Sequence, residues 1–207
     1  MRISVIMPVN LGSYKCDVTH NPDNGEFRFR QAVLSFIHQS LSGNELIIIS
    51  DGCDISESQY KEWFSSHPRI RFKKIPKQED YSGEVRNTGL VMARGEIICY
   101  LDHDDVFGHK HLAIIDKHFD TAEYDWVYYD DYLVDTVIAN KEHRIVNPVF
   151  CSIGTSAIAH RRDIEVKWGT GYGHDFKMIE KYLLPLRHTK IATPEYYVCH
   201  FRKIEDF

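Results

Sequence analysis

The feature that most restricts how this chain folds is an alternation of short apolar runs with segments of helical periodicity. ISVIMPV (Ile3 to Val9) and NELIIIS are continuous apolar runs, the pattern of strands buried on both faces. RIRFKKI and EIICYLD read as two further strands. Between them, EFRFRQAVLSFIHQSL repeats apolar side chains at helical spacing through Phe29, Val33, Phe36, Ile37 and Leu41. A second helix is predicted over 56–66 with Ser56 or Ser58 as its cap, and a third over SGEVRNTGLVMAR. Strand–helix–strand repeated in this way predicts parallel strands joined by right-handed crossovers, with ligands held at the strands' C-terminal ends. Asn10, Asp51 and Asp102 each fall at or just past such an end, so they are expected to converge on one crevice.

The second half is patterned differently. A helix is predicted over 109–119. DWVYYDDYLVD, HRIV, CSIGTSAIAHR and TKIATPEYYVCHF then read as mixed or antiparallel strands, interrupted by the helical GHDFKMIEKYLLPL. The expected class is therefore α/β: a mostly parallel central sheet with helices on both faces, plus a smaller mixed or antiparallel C-terminal part. One domain over 1–207 is expected, with halves 1–107 and 108–207. The polar, turn-rich YKCDVTHNPDNGE (Tyr14 to Glu26) predicts a long loop over the sheet edge, in the position of a lid.

Composition removes several classes of function. Of 207 residues, 43% are apolar, enough for a sizeable core, and the net charge of −5 leaves no global basic face for nucleic acid. The five cysteines (Cys16, Cys53, Cys99, Cys151 and Cys199) form no C-x-x-C pair. That argues against a zinc cage or a disulfide framework and suits a reducing, cytoplasmic compartment. MRISVIMPVN reads as a first strand and not as a signal peptide. No run approaches the roughly 20 apolar residues that span a bilayer, so any membrane contact is expected to be peripheral, at the inner face. The glycines of GTGYG follow no buried strand, which argues against a dinucleotide site, and no phosphate-binding G-x-x-x-x-G-K-[ST] occurs.

GEIICYLDHDDVFG places Asp102, Asp104 and Asp105 within four positions after an apolar strand. Carboxylate oxygens are hard ligands, and Mg²⁺ commonly takes one or two of them together with substrate phosphates. A lone D-x-D is more often a solvated turn capping the next helix. Here the strand-end position, matched by Asn10 and Asp51 on neighbouring strands, favours a metal–phosphate role for Mn²⁺ or Mg²⁺.

ISVIMPVN, ELIIISDGCD, GEVRNTGLVMARGEIICYLDHDD and GYGHDFKMIEKYL, in that order, resemble the family 2 glycosyltransferases of the GT-A fold. The resemblance covers nearly the whole chain, and its most specific piece is the R-N-x-G-x-x-x-A-x-G-E run leading into L-D-x-D-D. It implies a nucleotide-diphosphate sugar donor, by family habit UDP-linked, and a carbohydrate or lipid-linked carbohydrate acceptor in surface polysaccharide synthesis. Carried over position by position, Pro8, Val9 and Asn10 would contact base and ribose, and Asp51 would hydrogen-bond the base. Arg86 would lie near the phosphates, where a guanidinium fork suits diphosphate oxygens; the alternative is an ion pair with an acidic neighbour. Asp102, with His103 beside it, would face ribose or a metal-bound water. Asp104 would ligate the metal, with His200 as a further ligand, and Asp105 would cap the next helix and support the loop. Asp175 would be the catalytic base, with His174 near the acceptor. The chain departs from the family pattern in MPVN, one residue short, in Ser50-Asp51, and in His174-Asp175, where the family usually carries two acids.

The resemblance implies an inverting displacement in which Asp175 takes the acceptor's proton while the leaving diphosphate is stabilised by the cation and Arg86. Two rivals stand beside it. IICYLDHDDVF also satisfies the D-x-D-x-[TV] pattern of haloacid-dehalogenase phosphatases, with Asp102 as nucleophile, although that motif normally opens its fold. A non-catalytic nucleotide-sugar binder is the other.

Overall fold

The computed structural model describes residues 2–12, 25–79, 81–121, 123–135, 140–192 and 195–200. The segment read as a lid, Tyr14 to Glu26, lies almost wholly outside the described residues.

The described elements run β1 (Ile3–Val9), α1 (Gly25–Ile37), β2 (Glu45–Asp51), α2 (Asp54–Trp63), β3 (Ile70–Ile75), α3 (Gly83–Met92), β4 (Ile97–Tyr100) and β5 (Val106–Phe107). The chain continues through α4 (His111–Thr121), β6 (Trp126–Tyr128), β7 (Asp131–Asp135), β8 (Asn140–Arg144), β9 (Ile158–Arg161), α5 (His174–Met178), β10 (His188–Lys190) and β11 (Tyr196–His200). A seven-stranded sheet has the order β10-β6-β9-β4-β1-β2-β3. Its four strands from the first half are parallel neighbours. β9 joins antiparallel to both β4 and β6, and β10 pairs parallel with β6. A second sheet has the order β5-β11-β7-β8, in which β11 runs antiparallel to β5 and parallel to β7. The second half thus does more than add a small sheet, because three of its strands extend the main one.

The continuous apolar runs behave as their composition requires. Every residue of β1, β2 and β4 is buried. Alternation along β1 sends Ile3, Val5, Met7 and Val9 to one face, where Phe29, Ala32, Val33 and Phe36 of α1 and Leu112 and Ile115 of α4 meet them. Ile6 points the other way, into a second cluster with Val85 of α3, Tyr100, and Met178 and Ile179 at the end of α5. Helices therefore cover both faces. Each fully buried Ile, Val, Leu, Met or Phe contributes about 1.5–3 kcal/mol. No helix among the described residues is long and apolar enough to cross a membrane.

Some local expectations are corrected. α1 stops at Ile37, so Leu41 packs against the core from the following turn and not from the helix. The N-cap of α2 is Cys53, not Ser56 or Ser58. Ser56 is drawn inward instead, its hydroxyl donating to Ser50 Oγ at 2.8 Å and to the Cys53 carbonyl at 2.9 Å.

The strand order places β2 on one side of β1 and β4 on the other. The gap between the C-terminal ends of β1 and β4 is the point where crossover direction reverses, the usual ligand crevice of an open α/β sheet. β4 reaches this edge because Gly95 lets the chain pass close beside β1. A Cβ at Gly95 would overlap the Ser4 amide and lie 2.7 Å from the Ile3 carbonyl carbon. Both neighbours are backbone and cannot swing aside, so Gly95→Ala is expected to lower unfolding stability by about 3 kcal/mol in a urea titration.

Candidate active site

The turn after β4 is closed by the Asp105 amide donating to the Asp102 carbonyl at 3.1 Å. This presents Asp102, His103 and Asp104 at the crevice, all half-buried, while Asp105 is buried beneath. The Asp105 carboxylate accepts the Tyr196 hydroxyl and ties the turn to β11. This contact is the loop support expected of Asp105.

Arg86 projects from α3 into the same crevice and is only 4% exposed. Its Nη2 donates to Asp102 Oδ1 at 2.8 Å, and Nη1 donates to the Ser82 hydroxyl. The guanidinium lies 5.1 Å from the Trp168 ring centroid, and its buried Nε has no partner among the described residues. Asp102 Oδ2 accepts the Ser156 hydroxyl at 3.3 Å. Arg86 is thus an ion-pair partner after all, but a buried one aimed into the crevice, and not a solvated pair on a helix surface.

His174 and Asp175 arrive from the far side, on α5. His174 Nδ1 donates to the Gly171 carbonyl at 3.1 Å, which leaves the Nε2 lone pair facing Arg86 Nη1 at 3.3 Å. Burial, and next the Arg86 charge, hold the imidazole pKa below its ordinary value, so the ring that meets Arg86 is neutral. Asp175 Oδ1 accepts the Phe176 amide at 2.8 Å. Asp175 lines an open cleft of about 200 Å³ beside the crevice.

The ends of β1 and β2 lie further along the same edge. Asn10 Nδ2 donates to the Asp51 carbonyl at 3.3 Å, and Asn10 Oδ1 accepts the Gly12 amide at 2.9 Å. The buried Asp51 carboxylate takes the Gln78 amide at 2.7 Å and also the Lys77 ammonium. Gly52, at φ +63°, allows this, because a Cβ there would lie 2.8 Å from the Lys77 backbone nitrogen. Pro8 and Val9 belong to β1, with Val9 buried. The backbone of His200 ends β11, and its side chain lies outside the described residues.

Among the described residues no group of three or more His, Cys, Asp or Glu side chains assembles as a cation cage. Asp102 and Asp104 still offer the hard oxygen donors that Mg²⁺ or Mn²⁺ accepts from protein when substrate phosphates and water complete its shell.

Sequence reasoning did not single out Ser82, Ser156, Lys77 or Trp168. Trp168 organises the floor of the site. Its Nε1–H donates to the Tyr100 hydroxyl at 3.3 Å, and that hydroxyl lies 2.8 Å from His160 Nε2. His160 Nδ1 donates in turn to the Arg161 carbonyl at 2.8 Å, so every donor in this buried chain has an acceptor. Asn87, one residue after Arg86, pins the Trp168 backbone twice, at 2.9 and 3.1 Å. None of this follows from spacing, since β9 and the Trp168 segment lie far from α3 in sequence.

The fold and this site define the class: a GT-A-type nucleotide-sugar transferase architecture. Residues 18–183 match the family described as "Glycosyl transferase family 2", and the chain belongs to that family. It is 30% identical over 113 residues to the poly(ribitol-phosphate) beta-N-acetylglucosaminyltransferase TarP of Staphylococcus aureus (strain N315), covering 54% of this chain and 31% of TarP. The structure of S. aureus TarS residues 1–349 in complex with UDP-GlcNAc superposes with a TM-score of 0.75 at 16% identity, covering 96% of this chain and 58% of that one. The mannosyltransferase PcManGT of Pyrobaculum calidifontis, in complex with GDP-Man and Mn²⁺, gives 0.69 at 14% identity, over 95% of this chain and 56% of that one. The chain spans between 14% and 39% of the length of the curated relatives it matches. Family membership sets aside the phosphatase reading of Asp102, and β4 is the fourth strand of this sheet, not the opening strand which that motif normally occupies.

Burial depresses the His160 pKa to about 4. Between about pH 6.5 and 4 the unfolded chain binds a proton that the folded chain refuses. Stability is therefore intact above that window and falls as pH is lowered through it, by about 3 kcal/mol in all. Urea titrations at stepped pH are expected to show this slope, and His160→Gln is expected to flatten it.

Proposed function

We propose that this chain transfers a glycosyl unit, with inversion, from a UDP-linked sugar to an acceptor hydroxyl. The observation that supports this is the meeting of two groups of opposite chemistry at one strand-end crevice: the Arg86–Asp102 pair from α3 and β4, and the His174–Asp175 pair from α5. TarS, which shares the fold, is known in complex with UDP-GlcNAc.

In the proposed reaction Asn10 and Asp51 hold the nucleoside, and Pro8 and Val9 form the wall beneath it. The planar Arg86 fork, held in place in the crevice, presents its positive charge to the diphosphate oxygens. Trp168, Ser82 and His174 keep that fork oriented before the substrate arrives, so little reorganisation is needed when charge develops. The acceptor oxygen attacks the anomeric carbon, the carbon–phosphate-oxygen bond breaks with its electron pair passing to the diphosphate, and the acceptor proton passes to Asp175. His174, neutral and adjacent, orients the acceptor side. A divalent cation, when bound, supplies positive charge that offsets the leaving diphosphate; Asp102 and Asp104 are the residues proposed to hold it, with His200 as a further ligand and His103 flanking them. The proposed setting is surface-polymer glycosylation on the cytoplasmic side with peripheral membrane contact; the polymer part of it is supported by the name of TarP, whose acceptor is a poly(ribitol-phosphate).

A thermal-shift series tests the donor half. UDP with Mn²⁺ is expected to raise the melting temperature and simple phosphoesters are not, because only a ligand of the folded state adds stability. Asp175→Asn is expected to keep that shift and to lose about 100-fold or more in kcat for transfer. Retention of transfer in Asp175→Asn would remove Asp175 from the mechanism.

A further inference from the structure

We infer that the cleft beside Asp175 is a subsite for one neutral pyranose ring of the acceptor, stacked on the aromatic walls formed by Phe150 and Tyr172. This rests on the glycosyl-transfer reading above and deepens it from an acceptor hydroxyl to the side chains that would seat the acceptor and the charge it would carry.

Large apolar rings are normally withdrawn from solvent, yet three stand open around this one cleft. Tyr172 is 70% exposed, Tyr81 53% and Phe150 52%. They are not loose decoration. The Phe150 ring meets Tyr172 edge to face at 6.2 Å and Phe176 of α5 at 5.9 Å. It lies directly over Gly173, whose left-handed backbone at φ +70° carries no side chain; a Cβ there would come within 2.7 Å of the ring. Gly173 immediately precedes His174 and Asp175, so the ring that forms the wall is registered against the proposed base.

The chemistry of the lining selects the ligand. A pyranose presents an apolar C–H face, which packs on an aromatic ring, and a rim of hydroxyls that need polar partners. The cleft offers both, with Tyr81, Tyr172, His174 and Asp175 as polar members of its lining. Its volume of about 200 Å³ is below the roughly 300–1,000 Å³ of pockets that enclose a drug-sized ligand, and suits a single ring. Charge separates a neutral sugar from a polyol phosphate such as the poly(ribitol-phosphate) in the name of TarP. Among the described residues no lysine or arginine lines the cleft and Asp175 is the one carboxylate that does, so a phosphodiester seated there would face a like charge without a counter-ion from them. Arg86 lies behind His174 and is bonded to Asp102.

Ligand-observed NMR on the 207-residue chain with UDP present tests this, using octyl glucoside, octyl galactoside, octyl N-acetylglucosaminide and a ribitol-phosphate oligomer as probes. At least one pyranoside is expected to bind through the C–H protons of one ring face. Phe150→Ala and Tyr172→Ala are each expected to weaken that binding roughly tenfold, the loss of a buried aromatic anchor, with Phe150→Tyr restoring it. UDP affinity, read in parallel by thermal shift, is expected to stay within about twofold in all three variants, which shows that they remain folded. The subsite is overturned if the ribitol-phosphate oligomer binds better than every pyranoside. It is equally overturned if no pyranoside binds at millimolar concentration, or if neither alanine variant weakens binding. Failure of UDP to bind the unsubstituted chain would instead overturn the donor reading, a separate outcome seen in the control.

Discussion

The site is organised by one buried ion pair, Arg86 to Asp102. A guanidinium that is 4% exposed would be strongly unfavourable without a counter-charge, because desolvation costs several kcal/mol per ion. Asp102 meets that need from the strand-end turn, and it retains enough exposure to face a ligand. The pair joins α3 to the end of β4, one of the two strands that flank the reversal in strand order. It also places a fixed positive group where a diphosphate is proposed to sit. Such a pair need not add net stability to serve this purpose. What it contributes is a single orientation of the guanidinium, enforced by Ser82, by the Trp168 face and by a neutral His174.

Trp168 extends that constraint in two directions. Downward, its indole N–H begins the hydrogen-bonded chain through Tyr100 to His160, buried in the second face of the main sheet. Sideways, its backbone is latched to Asn87, so the segment leading to His174 and Asp175 is fixed to the helix that carries Arg86. The groups proposed for the donor side and the acceptor side are therefore parts of one hydrogen-bonded arrangement and not two separate sites. The neutral state of His174 belongs to the same logic, since an imidazolium would repel the guanidinium that it touches.

Much of this was legible from residue order because it depends on local rules. Continuous apolar runs buried on both faces require helices above and below, and Phe29, Val33 and Phe36 fell on one stripe of α1 as their spacing demanded. The strand-end placing of Asn10, Asp51 and Asp102 follows from parallel pairing alone. The cap of α2 was misread because a serine near a helix start has two uses, and Ser56 was taken by the buried Ser50 hydroxyl. The second half was harder, since short strands such as β6, β9 and β10 carry too few residues for a period to appear. Nothing in their sequence says which sheet they join.

The sequence by itself determined the parallel first half and the acidic turn after its fourth strand. These are consequences of periodicity and of where strands end. Only the tertiary structure decided that Arg86 is buried against Asp102, that Ser156 and Trp168 complete its surroundings, and that Phe150, Tyr172 and Asp175 share one cleft. Those contacts join positions far apart in the chain. A backbone crossing at Gly95 and the close seat of the Phe150 ring over Gly173 bring them together, and no local pattern records such an approach.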